Sequence, residues 1–419
     1  MTSHYRTRRL AIAALTAVIF AGLAACSTTV PNTTLEPRTD FGRAIDQLWD
    51  NLLFWGTIVF VLVETLLIYV ILRFRRREGQ PAPRHVHGNT TLEIAWTLAP
   101  AVILAIIAVP TVKTIFDTQR PAPANALTVE VIGHQWWWEF RYPEYGVVTA
   151  NELYLPVGRT ANFALQTQDV LHSFWVPQLG GKRDLITNRT NHIWFTPEST
   201  AVWNGVCVEY CGTSHANMRF KTFVVTAEQF EAWVNHQKSG PAMAASAPAA
   251  TGAQTDTSAT RPAAQTQTPP AAAEPAQASA PSVPPAQTSG QLPTYPADRL
   301  PLYAASYNPV PEELTIGNVV GDAARGAQIY RTAPCIACHV IQGVSAGIVG
   351  PNLTHLGSRT SLGAGLFPND ARHLALWIKN SPAMKPGSKM PAFGKSAAMP
   401  AGYDDQQLAD LAAYLLSLK

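Results

Sequence analysis

Cys207-Val-Glu-Tyr-Cys211-Gly-Thr-Ser-His215-Ala-Asn-Met218 sets two thiols, an imidazole and a thioether within twelve residues. Sulfur and imidazole donors form a soft set, which selects copper over hard cations. So short a span must be a loop between strands, and it would present both sulfurs to bridge a pair of metal ions. Four ligands do not complete two coppers, so a further imidazole must come from elsewhere. His172, in Asp169-Val-Leu-His-Ser-Phe174, precedes a predicted strand and is the best candidate. Three other readings compete. Cys207 and Cys211 could close a disulfide, hold zinc together with His215, or supply a single blue copper that needs only one of them. Met218 disfavours zinc, and a disulfide leaves His215 and Met218 without a role.

Around this loop the chain alternates like β-strands. Ala126 to Ile132, Glu152 to Val157, Thr160 to Leu165, His192 to Thr196 and Lys221 to Val225 have period-two character. Turn residues separate them, as at Pro156-Val-Gly158 and Leu179-Gly-Gly181. About seven short strands predict an antiparallel sandwich over 121–237. Thr226-Ala-Glu-Gln229 predicts a capping box opening a closing helix. Trp136 to Trp138 read as strand residues of large buried area, with Trp136 and Trp138 on one face and Trp137 on the other.

Toward the amino terminus the chain turns apolar. Arg6, Arg8 and Arg9 precede an uncharged run, Leu10 to Ala25, so 1–25 reads as a secretory leader. Leu23-Ala-Ala-Cys26 resembles a bacterial lipobox, in which Cys26 would carry lipid; an ordinary cleavage site beside an incidental cysteine is the alternative. Asn51 to Leu72 and Ile94 to Val112 are each of a length to span a bilayer and form a transmembrane hairpin over 40–120. The cluster Arg73-Phe-Arg-Arg-Arg77 places the connecting loop inside and everything after about Lys113 outside. Glu64 within the first span is either a functional carboxylate or a structural one facing a partner. A net charge of +3 is too small to suggest a nucleic-acid partner.

Toward the carboxyl terminus, 238–293 is almost wholly Ala, Pro, Ser, Thr and Gln. It has no hydrophobic period and reads as a disordered linker, either a tether or a passive spacer. Beyond it, Cys335-Ile-Ala-Cys338-His339 is a c-type haem attachment pattern: two thiols for thioether bonds and a histidine as proximal ligand. The bare pattern also occurs in zinc and redox sites. Here an amphipathic helix, Asp322 to Arg331, precedes it. A closing helix, Asp404 to Lys419, carries Leu408, Leu411, Leu415 and Leu416 on one side.

Two resemblances gather these readings. Residues 40 to 235, including Gly133-His-Gln-Trp-Trp-Trp-Glu139, Asp169-Val-Leu-His-Ser173 and the cysteine loop, resemble subunit II of cytochrome c oxidase with its copper A domain. That resemblance implies a cupredoxin-like all-β sandwich behind the hairpin. It implies His172, Cys207, the Glu209 backbone carbonyl, Cys211, His215 and Met218 as ligands of a binuclear copper A centre. It further implies that the Glu209 side chain helps hold magnesium shared with subunit I, and that electrons enter through Trp136. Gly88-Asn-Thr-Thr-Leu-Glu93 also resembles the family. Glu93 is there linked to proton uptake, though a helix-start charge favoured by the macrodipole is an equal reading.

Residues 315–419 resemble an all-α class I cytochrome c, which implies covalent haem c and a methionine as sixth ligand. Met384, Met390 and Met399 compete; Met390, in Lys389-Met-Pro-Ala-Phe393, stands in the usual form of the ligand loop. The combination resembles the caa-type oxidases of bacteria. It implies a bacterial inner membrane protein with both redox domains on the periplasmic side. Its partners would be oxidase subunit I, where oxygen is reduced, other oxidase subunits, and a soluble or membrane cytochrome c donor. Rival readings are a copper-free quinol oxidase subunit II-like scaffold, a copper A reductase such as nitrous oxide reductase, and a membrane-anchored electron carrier outside an oxidase. The intact ligand loop argues against the first, and the lack of a large catalytic domain against the second.

Overall fold

The computed structural model describes residues 32–75, 79, 87–241, 308–397 and 399–419. Cys26 and most of the Ala/Pro-rich segment lie outside the described residues.

Two long helices open it, α1 (Asp40–Phe74) and α2 (Thr90–Gln119). Both begin on side-chain caps that satisfy orphan amides: the Thr39 hydroxyl accepts from Gly42 N, and Asn89 Oδ1 accepts from Thr91 N and Leu92 N. Both are long and apolar enough to cross a membrane. They exceed the predicted spans at each end, and at their starts the reason is that the caps, not the apolar runs, mark where the helices begin. Pro100 and Pro110 sit inside α2.

The hairpin is fixed to the domain that follows. Asp40 accepts from Thr196 N and Oγ1 at 2.8 and 3.1 Å, Thr39 donates to the Leu179 carbonyl, and Phe41 is buried. At the far end of α2, the Trp194 indole donates to the Arg120 carbonyl at 2.8 Å, with the Arg120 guanidinium 5.2 Å from the Trp194 ring centroid.

Ten strands form the sandwich: β1 (Leu127–His134), β2 (Trp137–Tyr142), β3 (Val147–Ala150), β4 (Glu152–Pro156), β5 (Ala161–Thr167), β6 (His172–Trp175), β7 (Arg183–Leu185), β8 (Asn191–Phe195), β9 (Ala201–Cys207) and β10 (Arg219–Val225). One sheet runs β3-β2-β1-β5-β8, the other β4-β10-β9-β6-β7. The expectation of a purely antiparallel sandwich is corrected: β1 pairs with β5, and β4 with β10, in parallel. Each parallel pair joins strands distant in sequence, so local alternation carries no sign of its direction. A core of Trp138, Phe140, Phe163, Phe174, Phe195 and Phe220 fills the space between the sheets. Helix α3 (Ala227–Lys238) opens on the expected Thr226–Gln229 capping box and buries Phe230, Trp233 and Val234.

The last unit is helical apart from two two-residue hairpins: α4 (Ala323–Thr332), α5 (Cys335–Cys338), α6 (Ala371–Met384) and α7 (Asp405–Ser417). Helices α4 and α7 cross where Gly326 meets α7. A methyl group there would lie 2.0 Å from the Asp410 carbonyl oxygen, so only glycine lets the backbones approach. Arg325 clasps Asp410 through two 2.8 Å hydrogen bonds beside the crossing. Leu408, Leu411 and Leu415 are buried on the inner face of α7, as their spacing predicts, with Leu416 half-buried.

Candidate copper and haem sites

Strands β6 and β9 bring the first ligands together. Cys207 ends β9 and His172 opens β6; Phe174 of β6 pairs with Cys207 in register. The loop then returns through a short 3₁₀ turn, His215–Asn217, so that Met218 N donates to the His215 carbonyl just before β10. The result is one sulfur-rich cluster. Cys207 Sγ lies 3.9 Å from Cys211 Sγ, 3.9 Å from His172 Nδ1 and 3.4 Å from the Glu209 carbonyl oxygen. Cys211 Sγ lies 3.6 Å from His215 Nδ1 and 3.9 Å from Met218 Sδ.

Two sulfurs 3.9 Å apart are not a disulfide, whose S–S bond is about 2.05 Å, and both cysteines are free. Each sulfur has its own imidazole, and the thioether completes a set too soft for magnesium or calcium. The donor chemistry fits copper. The contact with Cys211 lowers the Cys207 pKa, while the contact with Cys207, and then burial, raise that of Cys211.

Partners behind the cluster fix its geometry. Asp169 Oδ1 lies 2.9 Å from His172 Nε2, leaving Nδ1 toward the sulfurs. Burial alone would raise the Asp169 carboxyl. Hydrogen bonds from His172 and from the Gln135 and Val170 amides instead hold it well below the usual carboxylate range. The Gln135 side chain and the Trp136 indole both donate to the Cys211 carbonyl, at 2.8 and 3.1 Å. Trp138 is fully buried and its indole reaches the Met218 carbonyl at 3.4 Å.

Trp136 does not lie in a strand as expected; it occupies the turn between β1 and β2. Strand alternation therefore does not set its direction: Trp138 is buried in the core and Trp137 stacks on His134 at 4.1 Å, whereas Trp136 lies over the copper loop with its ring against Gly212 and Gly387.

In the helical unit, Cys335 and Cys338 are free and half-buried on the single turn α5. His339 Nδ1 donates to the Pro351 carbonyl at 2.8 Å, which leaves Nε2 for a metal. Burial holds His339 below its ordinary pKa, so it stands as the neutral form that ligates. A methyl group on Gly350 would come within 2.5 Å of the imidazole, so this glycine forms the wall behind the ring. These residues fit a covalent haem.

Among the candidate methionines, Met384 is buried within the core and Met399 is 39% exposed. Met390 packs half-buried against the same core as Cys335, in the loop after α6, with its carbonyl accepting from Ser381 Oγ at 2.7 Å.

Glu93 stands apart from both sites. It lies in the first turn of α2, about 40 Å along the helix from Gln119 at 1.5 Å per residue. Asp169 and Gln135 escaped sequence reasoning as functional residues. A carboxylate three positions before a candidate metal-binding histidine is the signal that could have found the first.

Three family models match the chain. They are "Cytochrome C oxidase subunit II, transmembrane domain" over residues 39–114, "Cytochrome C oxidase subunit II, periplasmic domain" over 147–226, and "Cytochrome c" over 323–419. The chain is 30% identical over 396 residues to cytochrome c oxidase subunit 2 of Alkalihalophilus pseudofirmus, covering 92% of this chain and 91% of that one. It is 28% identical over 381 residues to the Bacillus subtilis protein of the same name, covering 85% of each. Among solved structures, the periplasmic domain of subunit II of cytochrome oxidase of Bradyrhizobium japonicum is 30% identical and covers 28% of this chain and 97% of that one, with a TM-score of 0.28.

Proposed function

The chain belongs to the cytochrome c oxidase subunit II family, and on that premise we propose that it is the electron-accepting arm of a caa-type oxidase, with a binuclear copper A centre and a covalent haem c. The observation that carries this reading is the cluster around two unbonded sulfurs, each with its own imidazole. His172, Cys207, the Glu209 carbonyl, Cys211, His215 and Met218 would hold the copper pair. Cys335 and Cys338 would form thioether bonds, with His339 and Met390 as axial ligands. When bound, the haem and the copper pair each carry one electron at a time, at potentials set by their thiolate, imidazole and thioether donors.

The protein's own groups position that chemistry. Asp169 fixes the His172 ring, and the Pro351 carbonyl fixes His339. Trp136, hydrogen-bonded to the Cys211 carbonyl, is the route by which electrons reach the copper loop. The Glu209 side chain, half-exposed at the rim, would help hold magnesium at the contact with subunit I.

The chain is membrane-anchored. The arginine-rich stretch after α1 argues that this end faces the cytoplasm, which in a bacterial inner membrane would put both redox domains on the periplasmic side. Two spanning helices leave no room for an oxygen-reducing centre, which belongs to subunit I. Glu93, at the opposite end of α2 from the copper domain, would serve proton uptake there, and Cys26 would carry a lipid. A soluble or membrane cytochrome c is the outside donor.

The test is Cys207→Ser in the purified oxidase complex. Haem c should remain attached and reducible, while its oxidation by oxygen is lost together with the copper absorption. Undiminished turnover in that variant would refute the reading.

A further inference from the structure

The helical unit rests on the sandwich at a contact that joins the two candidate sites. Lys385, the residue after α6, is 4% exposed; its ammonium donates to the Trp136 carbonyl at 2.5 Å and to the Gly363 carbonyl at 3.1 Å, one acceptor in each domain. Beyond it, Ser214 of the copper loop donates to the Pro386 carbonyl, and Lys389 lies 3.4 Å from Asp169. Gly387, at φ +82°, faces the Trp136 ring so closely that a methyl group would sit 2.8 Å from it. Only glycine fits both the backbone and the space. The segment leading to Met390 thus lies directly on the residues that shape the copper site.

A second anchor faces the other way. Glu152 of β4 is 3% exposed, and its Oε1 accepts from both the Thr360 amide and hydroxyl at 2.7 and 2.6 Å. The charges of Lys221, in its own domain, and Arg359, in the helical unit, flank it.

Encounters between redox proteins usually bury little area. Here two ionisable groups, Lys385 and Glu152, are almost wholly buried, which is tolerated only where hydrogen-bond partners are specific. Because both units share one chain, docking is intramolecular, and even a modest interface stays filled.

We infer that Lys385 and Glu152 are reciprocal positioning residues of a closed arrangement in which the Lys385–Met390 loop caps Trp136. This rests on the proposed function and adds to it the surface through which the two centres meet. Beneath that loop Trp136 keeps only 9% of its surface exposed, so opening the contact should uncover it to an outside donor.

The experiment uses the purified oxidase complex, matched for copper and haem content. Haem-to-copper transfer is followed in a single turnover, and direct reduction of copper by soluble cytochrome c is measured in parallel. Lys385→Met, Glu152→Ala and Thr360→Ala should each slow internal transfer at least about tenfold, the scale on which small misplacements act. Each should also increase direct reduction of copper by the soluble donor. Glu152→Ala and Thr360→Ala together should slow transfer no more than the worse single change, because both break one contact. Thr360 lies in the other domain from the copper ligands, so its variant answers even if Glu152→Ala loses metal. Unchanged internal transfer, or slowed transfer with copper no more open to the soluble donor, would overturn the inference and leave the proposed function standing. No haem-to-copper transfer in the unaltered protein, with both groups bound, would instead overturn the proposed function.

Discussion

Asp169 shows how much a single residue outside the ligand set decides. Its carboxylate orients His172 while accepting the Gln135 amide at 2.7 Å, so it ties a proposed copper ligand to the tryptophan turn. Asp169→Asn should weaken copper binding about 10–100-fold, the usual cost of losing such a partner, with both cysteines still free. Competition titration with a copper chelator measures this, and an unchanged affinity would remove Asp169 from the site. Trp136 and Trp138 should separate by effect. Trp138 packs among His172, Phe174 and Phe220, so Trp138→Ala should cost about 3–5 kcal/mol in urea unfolding of the sandwich. Trp136→Ala should instead act mainly on electron transfer, with the smaller loss of stability. At this scale the sequence was highly legible where chemistry is compressed into a motif. The Cys207–Met218 loop announces four candidate ligands because each is a rare donor type within twelve residues. Lys385 gave no such signal: a lysine before proline and glycine looks like any exposed loop, and only the docked partner makes it buried.

Elements were readable to the extent that their cues are local. The caps at Asn89, Thr226 and Asp404, and the alternation of β1, β4, β5, β8 and β10, lie within a few residues of what they specify. Strands β6 and β7 are four and three residues long, too short for a period, and exist because pairing with β9 and with each other holds them. Helix α3 carries a consequence for docking. His236, near its end, lies 3.2 Å from Ser358 Oγ, and its ring centroid is 4.6 Å from that of His355, which itself contacts the Ser239 carbonyl at 3.1 Å. Burial, and then the neighbouring His355, pushes His236 down to about 4; burial also lowers His355, and Arg359 adds to this. Separation of the domains would return both toward their ordinary value of about 6.5. The separated state then binds more protons, so the histidine pair costs docking nothing above about pH 6.5 and opposes it increasingly as pH falls toward 4; Lys385, lowered by burial to about 7, acts in the same sense at higher pH and is already charged across this acid range. Glu152, raised by burial, acts in the opposite sense, and its contribution is removed by measuring in a Glu152→Ala background. Haem-to-copper transfer should therefore slow on acidification, and His236→Asn should flatten that slope. An equal slope in the variant would dissociate the histidine pair from docking.

Across the whole molecule, two kinds of joint differ in character. The hairpin meets the sandwich through Asp40, Phe41 and Arg120, residues at or beside the ends of the helices themselves. The helical unit meets it only through side chains and loops, after a long Ala/Pro-rich segment. The order of these parts was evident from composition alone, because apolar spans, alternating strands and a haem motif occupy separate stretches. Their contact was not, since Thr360, Lys385 and Gly387 find Glu152 and Trp136 across more than 200 residues of chain. The central claim is that paired sulfurs and a covalent haem share this chain. Copper and haem content of the detergent-purified protein, with the paramagnetic signature of its oxidised copper, tests it most directly. Two coppers per chain sharing one unpaired electron, and one haem resistant to acid extraction, are expected. One isolated copper, or Cys207 and Cys211 recovered as a disulfide after copper loading, would contradict it.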